Sequence, residues 1–149
     1  MFSIQRLKEY LESNTANFEM LAHDTPILTI QDAKKYFDTD YAAPVLIVQT
    51  NNGLMVLIIS AARGKIDFKG LGEKLGFTKF KLAGKKKAEK ETGYQIGAMP
   101  LVGIKLPCIF DARLLKYDYI YGGSGDELHI LKISPKDVER LNNVVLKID

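Results

Sequence analysis

The residues predict one α+β domain, a mixed and largely antiparallel, barrel-like sheet that is partly closed and flanked by helices. A chain of 149 residues is long enough for one core and short for two. Val45-Leu46-Ile47-Val48-Gln49 and Leu54-Met55-Val56-Leu57-Ile58-Ile59 flank Thr50-Asn51-Asn52-Gly53, and an Asn-Gly pair between two β-rich runs signals a hairpin. Helical and strand segments then follow one another in mixed order, with no repeat, linker or low-complexity tract.

Ser3 is placed to cap a first helix, whose Ile4, Leu7, Tyr10 and Leu11 recur at helical spacing. Phe18–Leu21 reads as a short strand. Thr29 and Asp32 form a capping-box pair for a second helix running to about Tyr36. The two hairpin strands are apolar on both faces, which places them in the middle of a sheet or barrel. Asp67 caps a helix that Gly76 ends, Thr78–Leu82 reads as a strand, and Lys85–Thr92 is a basic helix stopped by Gly93. Strands are expected at Cys108–Asp111, Tyr117–Tyr121 and Leu128–Ile133. Ser134-Pro135-Lys136-Asp137 then opens a terminal helix.

Composition excludes several classes. Apolar content of 46% with 26% charged residues is that of a folded globular chain. No apolar run approaches the roughly 20 residues that span a bilayer. The amphipathic, acid-containing start is unlike a signal or transit peptide. Cys108 is the single cysteine, so neither an internal disulfide nor a thiolate metal cluster is expected. A cytoplasmic location follows as the expectation. Residues 63–90 carry ten Lys/Arg against Asp67, Glu73 and Glu89, or +7, which leaves −4 for the rest of a +3 chain. Such a face suits a polyanion, although a charge run alone is more often a solvated surface. Arg63, Lys85, Lys86, Lys87 and Lys90 are the candidates for nucleic-acid phosphates.

Two glycine clusters, within 93–103 and 122–125, lie at strand ends and bracket the Cys108–Asp111 strand. Glycine there allows bare main-chain N–H groups to approach a ligand. No Ser-His-Asp arrangement or metal-ligand spacing is present. His129 falls on the same strand face as Leu131 and Ile133. It is either a core residue or a hydrogen-bonding group beside the 122–125 turn. Asp126 is either a turn former or a carboxylate for a substrate ammonium. Cys108 reads as a buried structural thiol, and Tyr117, Tyr119 and Tyr121 as one packed strand face.

Three blocks stand in a telling order: Ile66-Asp67-Phe68-Lys69 with Leu75-Gly76; Thr92-Gly93-Tyr94 with Gly97-Ala98-Met99-Pro100-Leu101-Val102-Gly103; and Leu106-Pro107 through Asp111 with Tyr119–Gly125. Over about residues 15–142 this order resembles the YbaK/ProX family of aminoacyl-tRNA deacylases, relatives of the editing domain inserted in bacterial prolyl-tRNA synthetase. The resemblance implies a hydrolase that removes a wrong amino acid from a tRNA 3′ end, with no cofactor and no metal. Aminoacylated tRNA is the implied partner, and an aminoacyl-tRNA synthetase a second candidate. The loop of Gly97, Ala98, Met99 and Pro100 would hold the 3′-terminal adenosine and aminoacyl group, with Gly123, Ser124 and Gly125 as the opposing lip and His129 beside them. The ester is already activated by its α-ammonium and neighbouring hydroxyl, so main-chain donors suffice to stabilise the oxyanion, at about 3–4 kcal/mol each.

Two positions depart from the family pattern. Ala43, in Tyr41-Ala42-Ala43-Pro44, stands where the family carries a lysine, and Pro100 comes one residue early, with Leu101 in the usual proline place. Arg63 or Lys65, just after the hairpin, could supply the missing cation. A non-catalytic module that binds aminoacyl-tRNA or its CCA end is the rival reading, and a general RNA-binding module the third.

Overall fold

The computed structural model describes residues 1–149. Its order is α1 (Ile4–Ser13), β1 (Phe18–Ala22), α2 (Ile30–Ala33), β2 (Val45–Thr50), β3 (Gly53–Ile58), α3 (Phe68–Leu75), β4 (Phe80–Leu82), α4 (Lys85–Thr92), β5 (Cys108–Asp111), β6 (Ile120–Gly123), β7 (His129–Ile133), α5 (Pro135–Leu141) and β8 (Val144–Ile148). Ser3 Oγ accepts from Arg6 N and starts α1, and Asp67 accepts from Gly70 N and starts α3. Gly76 and Gly93 end α3 and α4 in the left-handed conformation that glycine adopts without strain.

Two sheets form. The larger has order β4-β2-β3-β5-β8, with β2 antiparallel to β3 and β4, and β5 parallel to both β3 and β8. The smaller is an antiparallel β1-β7-β6. They do not close into a barrel. An isolated parallel bridge, Ala42 to Tyr121, joins them, and Ala43 N donates to Tyr121 O at 2.8 Å.

The hairpin strands are apolar on both faces because the larger sheet has a core on each side. Ile47, Val56, Ile58, Cys108 and Phe110 enter the main cluster with Leu7 and Leu11 of α1. Val48, Met55, Leu57 and Ile109 alternate onto the other face, under Phe68, Leu71 and Leu75 of α3. Cys108 is fully buried, and burial pushes its thiol up to about 12, which leaves no thiolate for chemistry.

Three expected elements differ. The second helix stops at Ala33 rather than near Tyr36. The Asp111-capped 3-10 turn over Ala112–Lys116 delays the next strand to Ile120, so Tyr117 and Tyr119 pack against Tyr41 instead of lying in the strand. The strand β8 follows the last helix, where none was expected. No helix is long and apolar enough to cross a membrane.

Candidate functional site

A cleft of ≈ 280 Å³ opens where the two sheets meet. One wall is side chain: Ile27, Ile30, Ala33 and Phe37 from the α2 region. The capping box sets this wall, because Asp32 Oδ2 accepts from Leu28 N and Thr29 N while Thr29 Oγ1 accepts from Asp32 N. Ile96–Met99, Tyr121–Gly123 and Ala42–Leu46 extend the lining.

The two glycine bends converge. Leu101 N donates to Gly123 O at 3.0 Å, and Gly125 N donates to Ala98 O at 2.8 Å. A Cβ on Gly123 would collide with the Met99 carbonyl oxygen, and one on Gly97 (φ 92°) would lie 2.5 Å from Leu28 O. The first of these bonds also gives the shifted proline a physical reason. A proline at 101 has no N–H to give Gly123, whereas Leu101 donates and packs its side chain, fully buried, against Gly122.

Main-chain donors in the loop are unequally committed. Ala98 N donates to Gln95 O at 3.0 Å, but the amides of Gly97 and Met99 meet no acceptor within the protein, and both residues line the cleft. Unpaired amides beside an apolar cavity are the donor set an oxyanion requires.

His129 and Asp126 line the cleft and are its only titratable residues of the Asp, Glu, His, Lys and Arg types. His129 Nδ1 lies 3.5 Å from Asp126 Oδ1 and has no hydrogen-bond partner, while the same Oδ1 accepts from Leu128 N at 2.7 Å. Tyr121 also lines the cleft and stacks on Phe37 with centroids 4.3 Å apart; burial raises its phenol above the ordinary range.

The structure therefore brings together Ala43, Gly97, Ala98, Met99, Gly123, Asp126 and His129. It leaves others outside the lining. Ser124 is buried, and its hydroxyl donates to His129 O at 2.7 Å, bracing the turn. The Gly125 amide is spent on Ala98, and Pro100 is buried behind the loop. Arg63 does not replace the missing lysine. Its Nε and Nη2 each approach the fully buried Asp111 at 2.9 Å, and Ser60 N donates to the same carboxylate, which turns the chain away after β3. Lys65 follows as an exposed residue. Burial works to raise the Asp111 carboxyl, but the bonds from Arg63, Ser60 and Arg113 outweigh it and hold the group below the usual carboxylate range. Lys85, Lys86, Lys87 and Lys90 are exposed on α4, with Lys87 Nζ 2.6 Å from Gln49 Oε1. Sequence reasoning missed Leu28, Ile30, Phe37 and Ile96. Only the capping box hinted at a fixed turn there.

Comparison with known proteins identifies the family and the fold. Residues 24–141 match the family model of the aminoacyl-tRNA editing domain. The chain is 24% identical to the prolyl-tRNA editing protein ProX of Acetoanaerobium sticklandii over 140 residues, covering 88% of this chain and 85% of that one. Two solved structures share its fold. One is the hypothetical protein APE2540, with TM-score 0.83, 23% identity, and coverage of 95% of this chain and 96% of that one. The other is a proposed trans-editing enzyme for prolyl tRNA synthetase, with TM-score 0.82, 19% identity, and coverage of 100% and 98%. With most of its length inside that match, this chain belongs to the aminoacyl-tRNA editing domain family.

Proposed function

We propose that the protein is a free-standing deacylase that hydrolyses the ester of a mischarged aminoacyl-tRNA. The observation that carries this reading is the pair of unpaired amides at Gly97 and Met99, held on a loop that is hydrogen-bonded to the opposing bend. Water adds to the ester carbonyl, and the two amides stabilise the oxyanion. The carbon–oxygen bond to the ribose then breaks, giving the free amino acid and the tRNA terminal hydroxyl. His129, with the Asp126 carboxylate 3.5 Å from its Nδ1, accepts the proton of the attacking water and returns one to the leaving ribose oxygen. Preorganised donors need no reorganisation as charge develops, which is why no covalent nucleophile is required.

The side-chain wall of Ile27, Ala33 and Phe37 suits a small aliphatic amino acid. An apolar pocket separates neighbours weakly, by roughly 1–3 kcal/mol per methylene, so selection falls on size. The exposed lysines of α4 serve the phosphates of the tRNA. A synthetase that supplies the mischarged tRNA is the natural protein partner.

Ala43 supports a second reading. The cleft holds no lysine or arginine, so a module that binds aminoacyl-tRNA without cleaving it also fits. The test is ester loss from a panel of purified mischarged tRNAs, beginning with prolyl acceptors in view of the relative's name, with Gly97→Val as control. Accelerated loss on one member, abolished by the substitution, supports the deacylase. Binding without accelerated loss on any member supports the second reading.

A further inference from the structure

Tyr94 opens the first glycine bend, and its ring packs against the second. A Cβ on Gly125 would lie 2.7 Å from Tyr94 Cε1. The residue is 4% exposed and belongs to the main core cluster, and it does not line the cleft. Its hydroxyl accepts from Phe2 N at 2.7 Å, just ahead of α1. Phe2 is wedged in turn. A Cβ on Gly103 would lie 2.7 Å from Phe2 Cδ2, and the Phe2 ring centroid is 5.1 Å from that of Tyr10. A phenylalanine at 94 would fill the same core space; only the hydroxyl makes the link to Phe2.

We propose that Tyr94, held from outside by Phe2, is a positioning residue for the Gly97 and Met99 amides. The inference rests on the deacylase reading, and it adds a support that reaches the ester only through main chain. Gly125, against the Tyr94 ring, donates its N–H to Ala98 O at 2.8 Å. Ala98 stands between Gly97 and Met99, whose amides have no acceptor within the protein. Movement of the ring therefore passes to the donor pair across one hydrogen bond. Oxyanion stabilisation depends on placement, and a shift of about 1 Å set off far from the chemistry can cost about 10²-fold in rate.

Phe2 and Tyr10 fall outside residues 24–141, so the outer half of the support is no part of the family match. It gives the segment ahead of α1 a bearing on the reaction that the cleft lining does not reveal.

The experiment is single-turnover hydrolysis by the whole chain of the mischarged tRNA that the parent cleaves fastest, beside amide hydrogen exchange at Gly125. Phe2→Ala and Tyr94→Phe should each lower the rate at saturating protein about fivefold and leave the half-saturating concentration within about twofold. Tyr94→Leu also takes the ring away from Gly125 and should lower the rate further, toward about 10²-fold. In all three the Gly125 amide should exchange faster than in the parent. Rates are compared where urea unfolding shows each variant fully folded, so lost stability does not account for a slower reaction. An unchanged saturating rate in Phe2→Ala and Tyr94→Phe overturns the positioning role while the deacylase reading stands. A raised half-saturating concentration at that unchanged rate assigns the segment to tRNA binding instead. A slower reaction with unaltered exchange at Gly125 also overturns the proposal, because the effect then travels by another route. A parent that cleaves no mischarged tRNA overturns the deacylase reading and the positioning role together.

Discussion

Gly123 stands against the Met99 carbonyl with no room for a side chain between them. The contact fixes how closely the two bends approach beside the cleft that Met99 and Gly123 both line. Gly123→Ala must push the bends apart at a well-packed place, at a cost of about 1–3 kcal/mol in stability. Deacylation should fall on the order of 10²-fold, the effect of losing one oxyanion donor. Thermal melting and single-turnover ester hydrolysis together check both halves.

Leu101→Pro removes the amide that donates to Gly123 O. It should cost about 0.5–1.5 kcal/mol for the hydrogen bond, with further loss from the vacated, fully buried leucine site. A variant as stable as the parent would show that the loop does not depend on that bond.

His129→Gln and Asp126→Asn separate proton transfer from packing. The first should reduce the chemical step by about 10²–10⁴-fold. The second should reduce it less, because on the proposed mechanism Asp126 touches neither the water nor the ester and bears on the reaction only through its charge near His129. Both should leave binding of a hydrolysis-resistant 3′-aminoacylamino-3′-deoxyadenosine largely intact, and single-turnover rates beside equilibrium binding distinguish the outcomes. A change in binding alone would assign His129 to substrate holding.

Asp111→Asn leaves Arg63 with half its partner in a partly buried site. Removing one member of such a pair typically costs about 3–5 kcal/mol, and urea unfolding measures it. The sign with pH follows from the depressed carboxyl. Its stabilisation is fully present above the unfolded value of 3.8 and is lost as pH falls through the lower folded value. Acid unfolding of the parent should therefore steepen below about pH 4, and the Asn variant should show a shallower dependence there.

Substituting Lys85, Lys86, Lys87 and Lys90 by Gln should weaken tRNA binding and flatten its salt dependence. Each lost phosphate contact reduces the logarithmic salt slope by about 0.7–0.9. An unchanged slope would place the tRNA elsewhere.

Local signals in the chain proved readable where neighbours in sequence are neighbours in space. The Asn51-Asn52 turn before Gly53, the Ser3, Thr29 and Asp67 caps and the glycine stops at 76 and 93 all act within one turn of chain. Long-range pairings left no such mark. Arg63 read as a free cation, because nothing near it announces a carboxylate 48 positions on. The tyrosines at 117 and 119 alternate like a strand, yet the capped turn before them and Tyr41 across the fold decide their place. The β8 segment, Val144–Ile148, does alternate in burial, but its pairing partner is β5, more than thirty residues earlier. At the site, glycines marked one wall; the other depends on α2 docking across the cleft, which only the fold reveals.

A cleft lined both by two bends that main-chain bonds hold together and by residues around α2 separates two evolutionary tasks. Donor positions on the 96–101 and 122–125 segments are set by main-chain bonds that most substitutions leave alone. Residues at 27, 30, 33 and 37 carry only bulk and shape. On the proposed function, new substrate preferences can thus arise by exchanging a few aliphatic or aromatic groups on and around one short helix, while the hydrogen-bonded bends stay as they are.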